Sequence, residues 1–296
     1  MSAILKSWAA IIVVLVVSAG AFAQLPVPAS QPSPADLEIG QGKVVALDYF
    51  FNHQVKNGTQ FHYIWDDTKL SGYSKFGQVW QQYGASLASL PRAPTRLDLD
   101  RFSIYIIVNP STVRNAADFQ PNYIRPEDAN AIAGWVNDGG VLALFANDRN
   151  NCEFDHFNLL AQCFGIKFNG DLRNTVPTHK DMARGTFSEF PDHPLFKDVQ
   201  MIYLKEICTL TVNDPAQVLL TAPKQDGAEG TDVIMATSHY GKGFVFAVGD
   251  PWFYNEYIDV KTPTLPIENR KACENLVRWL LSMASSPLTV TSPPTK

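Results

Sequence analysis

Residues 126–148, PEDANAIAGWVNDGGVLALFAND, contain one complete helix–strand unit and decide the fold class. Pro126 opens a helix that has two acidic residues in its first turn, and Gly139 and Gly140 end it. The near-continuous apolar run at 140–146 then has the pattern of a strand covered on both faces. A helix followed by a buried strand is typical of an α/β protein.

The same alternation continues on both sides of this unit. The sequence predicts further strands at 43–50, 103–108, 218–221, 233–238 and 244–248, and further helices at 74–83, 154–164 and 268–283. One stripe of the last helix is predicted to pack in the core, and it consists of Ala272, Leu276, Trp279 and Leu280. This pattern predicts an open, mainly parallel sheet with helices on both faces. Ligands of such sheets bind beyond the carboxyl ends of the strands.

The first residues are typical of a cleavable secretory signal. Lys6 precedes an apolar run at 8–17, and Ala21-Phe22-Ala23 supplies a small-residue cleavage site. A membrane-spanning helix needs about 20 apolar residues, so we predict no stable membrane insertion after cleavage. The predicted organisation is a signal peptide at 1–23, a Pro-rich linker at 24–40, an α/β domain at 41–284 and a flexible tail at 285–296. We expect the mature protein to be secreted or periplasmic.

Composition narrows the range of partners only a little. The 296 residues are 46% hydrophobic and carry a net charge of -5, which gives no electrostatic reason to expect nucleic acid as a partner. The chain has an even number of cysteines, namely Cys152, Cys163, Cys208 and Cys273. One disulfide and a set of buried free thiols are equally compatible with that number in an exported protein.

Polar and aromatic residues follow four of the predicted strands and should meet at one edge of the sheet. Carboxylates and amides bind sugar hydroxyls, while indole and phenol rings cover the apolar face of a pyranose. The same residue types also form ordinary turns and helix caps. As a set, they predict a ligand-binding site made of His62, Trp65, Asp66, Asn147, Asp148, His156, Asp250, Trp252, Tyr254 and Glu256.

Other kinds of site have weaker support. Asp148, Glu153 and Asp250 are candidates for the acid and base of glycoside cleavage, although the sequence does not give their separation. The sequence contains no HxxxH or HExxH spacing of metal ligands and no glycine loop for phosphate or dinucleotide. It also lacks the G-x-S-x-G turn of serine hydrolases. We therefore predict no metal and no cofactor.

Three stretches carry a family resemblance: HYIWDDTKLSGYSKFG at 62–77, residues 121–168 with FDHFN at 154–158, and GKGFVFAVGDPWFYNEYID at 241–259. Over 40–283 the chain resembles the class I glutamine amidotransferase-like domain that accompanies unsaturated rhamnogalacturonyl hydrolases in pectin-degrading bacteria. The resemblance implies a flavodoxin-like three-layer sandwich and a link to pectin breakdown. It does not imply amidotransferase chemistry, because the turn that carries the cysteine nucleophile of true members reads Phe145-Ala146-Asn147-Asp148 here, and Cys152 lies beyond it.

We therefore expect an exported module that binds pectin-derived, rhamnogalacturonan-type oligosaccharide and works beside a polysaccharide-degrading enzyme. Trp65 and Trp252 are predicted to stack on sugar rings, with the Trp252 ring presented by Pro251 to the ligand and not to the core. Arg149 or Arg173 would pair with a sugar carboxylate. Two alternatives remain: a hydrolase of unsaturated rhamnogalacturonan oligosaccharides, and an envelope module whose sheet-edge aromatics contact another protein.

Overall fold

The computed structural model describes residues 33–115, 120–223 and 232–287. The predicted signal peptide and most of the predicted linker and tail lie outside these residues. The strands are β1 (Val44–Asp48), β2 (Gln54–Lys56), β3 (Thr59–Phe61), β4 (Ser86–Leu90), β5 (Ile104–Val108), β6 (Val141–Phe145), β7 (Ile166–Phe168), β8 (Thr186–Phe187), β9 (Ile202–Tyr203), β10 (Leu210–Val212), β11 (Ala216–Thr221), β12 (Val233–Tyr240) and β13 (Gly243–Val248). The helices are α1 (Pro34–Gly40), α2 (Ser74–Gln82), α3 (Arg96–Leu99), α4 (Pro126–Asn137), α5 (Phe154–Ala161), α6 (Asn255–Ile258) and α7 (Asn269–Met283).

The main sheet has seven strands in the order β11-β12-β13-β6-β5-β1-β4. The five strands from β13 to β4 are parallel, while β11 and β12 add an antiparallel edge. Taken along the chain, the parallel strands lie in the spatial order second, first, third, fourth, fifth. That order is the flavodoxin-like one. The predicted fold class is therefore confirmed.

Helices cover both faces of this sheet. One face packs against α2 and α7 in an apolar core that includes Phe76, Trp80, Leu276 and Trp279. The other face packs against α4 and α5 in a second core. The predicted stripe of α7 is buried, because its residues belong to the first core. The result is the three-layer sandwich.

The six predicted strands and four predicted helices are all present, with small shifts at their ends. Strand β4 escapes prediction because its sequence, SLASL, is short, alternates with serine and lies at the edge of the sheet. Helix α1 occupies the end of the segment predicted as linker. It forms there because Ser33 and Asp36 make a capping box, with Pro34 in the first turn.

A long insertion between β7 and β10 returns to the carboxyl edge of the main sheet. Its last part is fastened to the end of β13, where Cys208 N donates to Gly249 O at 2.9 Å and Lys205 N donates to an Asp250 carboxylate oxygen at 2.9 Å. The insertion thus places Lys205 beside the strand ends. No helix of the described residues is long and apolar enough to span a membrane.

Candidate functional site

A chain of polar contacts joins the carboxyl ends of β5, β6 and β13. Asn147 N donates to Asn109 Oδ1 at 2.6 Å, and Asn147 Nδ2 donates to the Tyr254 hydroxyl at 3.0 Å. That hydroxyl lies 3.4 Å from Asp250 Oδ1. Three residues predicted for the site, Asn147, Asp250 and Tyr254, are therefore brought together by the fold. We call the four linked residues the strand-end cluster.

Asp250 is the most chemically distinctive member of the strand-end cluster. Its carboxyl group is buried, and burial raises its pKa to about 7 despite the hydrogen bond from Lys205 N. A substantial fraction of the Asp250 side chains therefore holds a proton at neutral pH. A neutral carboxylic acid can donate a hydrogen bond or a proton, which an ionised one cannot.

Partly exposed side chains lie beside this buried cluster, and we call Lys205, Glu206, Glu256 and Tyr257 its mouth. Lys205 Nζ is 3.6 Å from Glu206 Oε2 and 5.4 Å from the centroid of the Tyr257 ring. Burial alone would lower the pKa of Lys205, but the neighbouring Tyr257, Glu206 and Asp250 outweigh it and raise that pKa, so the ammonium stays charged. Glu256 is half-buried; its Oε2 is shielded from water and finds no hydrogen-bond partner among the described residues.

Several residues in and around the strand-end cluster have a left-handed backbone conformation. His62, Tyr63, Asn109 and Glu206 are non-glycine residues with φ of 60°, 48°, 41° and 55°. Such left-handed conformations cost energy, and they concentrate at binding and catalytic sites. The Tyr63 ring packs 5.5 Å from the Tyr254 ring, which connects this strained loop to the strand-end cluster.

The remaining predicted residues of the 62–66 loop are held by local contacts. His62 N donates to Asp67 Oδ2 at 3.0 Å, and partial burial lowers the pKa of the His62 imidazole. Trp65 is half-buried and its indole N–H donates to Ala88 O at 3.0 Å. Asp66 is exposed and accepts a hydrogen bond from the Tyr49 hydroxyl at 3.1 Å.

Three other predicted residues serve the turn and helix that follow β6. The Asp148 carboxylate accepts hydrogen bonds from Asn150 N and Asn151 Nδ2, at 2.8 and 2.7 Å. Glu153 is the N-cap of α5 and also lies 3.0 Å from His156 Nδ1. The His156 ring stacks on Tyr123, with 4.5 Å between centroids, on the helix layer opposite to α7. The structure does not join these three side chains to Asp250.

The predicted exposure of Trp252 is wrong. Its side chain is 1% exposed and belongs to the core shared with α2 and α7. After β13 the chain turns back over that face: the Tyr73 hydroxyl donates to Pro251 O at 2.9 Å, and Phe253 stacks on Phe76 at 4.7 Å. The proline turn thus directs the indole into the core.

The predicted role of Arg173 as a ligand for a sugar carboxylate is also wrong. Arg173 is 2% exposed, and its guanidinium binds Asp232 Oδ1 and Pro223 O, both at 2.7 Å. A buried guanidinium needs such internal partners, which leaves it unavailable to a ligand. Arg149 is exposed and donates through Nε to Gly170 O at 2.7 Å.

The sequence interpretation missed Lys205, Glu206 and Tyr257 at the mouth of the site. Tyr257 stands in the GDPWFYNEY stretch, so its proximity to Glu256 was a usable signal. Lys205 and Glu206 lie in an insertion without a strong strand or helix pattern, and nothing local predicts that they meet Asp250. In the described residues, no group of three or more histidine, cysteine, aspartate or glutamate side chains is arranged to hold a metal ion.

The four cysteines are free thiols, and Cys152, Cys208 and Cys273 are buried. Burial raises the pKa of each buried thiol well above its usual value, which keeps it protonated and unreactive.

We expect a thiol reagent to modify the half-buried Cys163 in the folded protein and the other three only after unfolding. Mass spectrometry of labelled peptides measures this, and fast labelling of Cys152 in the folded protein would contradict it.

Compared with known proteins, the chain matches no protein-family model and no curated protein sequence. Its fold is similar to the mmIFT52 N-terminal domain, with 16% identity, a TM-score of 0.59, and coverage of 80% of this chain and 97% of that chain. It is similar to cytoplasmic protein STM3548 from Salmonella typhimurium, with 16% identity, a TM-score of 0.51, and coverage of 82% and 99%. A ThuA-like protein from Bacteroides uniformis aligns with 13% identity, a TM-score of 0.49, and coverage of 88% and 97%.

At these identities, the first two likenesses concern the fold alone. The strand order agrees with the flavodoxin-like sandwich that the family resemblance implies. The link to rhamnogalacturonan breakdown stays a prediction.

Proposed function

We propose that the protein is exported and binds pectin-derived, rhamnogalacturonan-type oligosaccharide at the mouth of the buried strand-end cluster. The observation that carries this proposal is the chain of polar contacts from Asn109 through Asn147 and Tyr254 to Asp250. It lies at the carboxyl edge of the parallel strands, where ligands of this fold class bind.

The residue types around the cluster suit a sugar. Glu256 has a carboxylate oxygen without a partner in the described part of the chain, and a sugar hydroxyl can donate to it. Tyr257 offers a partly exposed ring at the same mouth. Because Trp252 is buried, the rings that remain for stacking on a sugar are those of the half-buried Trp65 and Tyr257.

Exchange of Glu256 for glutamine tests the proposal. Because hydrogen bonds to charged groups contribute about 1.5–3 kcal/mol, Glu256→Gln is expected to weaken binding of a rhamnogalacturonan oligosaccharide about tenfold or more. Isothermal titration calorimetry measures the affinity. The exposed Glu189 gives a matched control, and Glu189→Gln should bind as the parent does.

Two other results would count against the proposal. If Glu256→Gln and its control bind equally well, the ligand does not contact this mouth. If the parent binds no member of a panel of pectin fragments, an envelope module that contacts another protein becomes the better hypothesis.

A hydrolase is the second candidate function, and the raised pKa of Asp250 favours it. A carboxyl group that is protonated near neutral pH is suited to protonate the oxygen of a leaving sugar. Glu256, at the mouth of the cluster, is the carboxylate that we assign as the base. Chromatography of unsaturated rhamnogalacturonan oligosaccharides after incubation with the protein decides between binding and cleavage, and loss of any cleavage in Asp250→Asn would assign the acid.

A further inference from the structure

Lys205 carries a positive charge at the mouth of the strand-end cluster. Its side chain is 25% exposed, and its ammonium lies over the Tyr257 ring. A contact with a ring face fixes an ammonium in position, and an ammonium carries three N–H donors. Tyr257 therefore positions Lys205, which retains donors for a ligand.

Glu206 forms a long ion pair with Lys205, but the two side chains are not hydrogen-bonded. The 3.6 Å between Oε2 and Nζ exceeds the length of a hydrogen bond. Glu206 is held in place by its backbone, which has φ of 55° and donates from N to Asn174 O at 3.2 Å. Its side chain is 34% exposed and has room to turn toward water.

Below about pH 7, the neighbouring Asp250 carboxyl does not cancel the charge of Lys205. The nearest buried carboxyl is Asp250, whose burial favours its neutral form. The ammonium of Lys205 is therefore available at this mouth to attract an anionic ligand group.

We propose that Lys205 binds the carboxylate of a uronic acid unit of the oligosaccharide, and that Glu206 competes with that carboxylate for the ammonium. The ligand would replace a loose 3.6 Å contact by a charge-assisted hydrogen bond. This inference rests on the proposed function, because it assigns the acidic-sugar specificity of the same site.

The test compares trigalacturonic acid with its fully methyl-esterified form, in which the carboxylates are neutral. The parent is expected to prefer the acid, and added salt should weaken binding of the acid alone. Lys205→Met should weaken binding of the acid about 10- to 100-fold and leave the ester unchanged. Glu206→Gln should strengthen binding of the acid about two- to fivefold, since it removes the competing charge.

Matched controls are Lys167→Met and Glu189→Gln, two exposed residues outside the site, which should behave as the parent. Lys205→Arg keeps the charge and should keep the preference for the acid, and a melting curve for each variant shows that it is folded.

If Lys205→Met still prefers the acid, Lys205 does not bind the ligand carboxylate, although the proposed function stands. An unchanged affinity in Glu206→Gln would overturn the competition. If the parent binds neither form nor any other pectin fragment, the proposed function fails and this inference fails with it.

Discussion

Replacement of Trp252 by alanine is expected to lower the free energy of unfolding by about 3–5 kcal/mol. The indole is 1% exposed and lies in the core between the main sheet and helices α2 and α7. Truncation removes its apolar contacts and leaves a cavity that the surrounding rings cannot fill completely. Phe253, stacked on Phe76 beside it, limits how far the core can collapse.

Urea denaturation measures this loss, and Trp252→Phe is the matched comparison. The smaller ring should cost clearly less than alanine, because it leaves a smaller cavity. Under the proposed function, the protein that remains folded should bind oligosaccharide with the affinity of the parent. A variant with unchanged stability and lost binding would instead make Trp252 a ligand contact.

The case of Trp252 shows what the sequence could and could not predict. The strands and the main helices follow from local apolar patterns and capping residues, so their positions are predicted well. The direction of the chain after β13 depends on Tyr73 and Phe76, which are far away in the sequence. An aromatic residue after a proline turn has the same local pattern whether its ring is in the core or at a ligand.

The residues of the candidate site also fall into two groups, those that the sequence predicts and those that it does not. Asn147, Asp250 and Tyr254 are predicted because each follows a strand, and the ends of parallel strands meet at one edge. Lys205 reaches that edge only through the insertion between β7 and β10, whose path is set by long-range contacts such as Cys208 N to Gly249 O. Arg173 was misassigned because Asp232, the partner of its buried guanidinium, is distant in sequence.

The second large effect concerns Asp250 and pH. Burial raises the pKa of Asp250 from 3.8 to about 7, so the folded protein binds this proton more tightly than the unfolded chain does. The stability that the group contributes is complete below about pH 4 and is lost as the pH rises to about 7. At pH 8 the folded protein carries a cost on the order of 4 kcal/mol from ionising this buried group.

Asp250→Asn removes the ionisation and keeps an oxygen that can accept from Lys205 N. The variant is therefore expected to be more stable than the parent at pH 8 by up to about 4 kcal/mol, and the difference should vanish as the pH approaches 4. Urea denaturation at pH 4, 5.5, 7 and 8 measures it. A difference that does not change with pH would mean that Asp250 ionises normally in the folded protein.

Asp259 gives a control of opposite sign. Burial opposes its ionisation, but Arg270 and Lys75 outweigh burial and lower its pKa to about 2. The stability that Asp259 contributes is present above about pH 4 and is lost as the pH falls through about 2. Asp259→Asn should therefore be less stable than the parent at neutral pH, where Asp250→Asn is more stable. A general effect of removing negative charge would change the free energy of unfolding of both variants in the same direction. Changes of opposite sign would therefore show that each effect comes from the surroundings of its own carboxyl group.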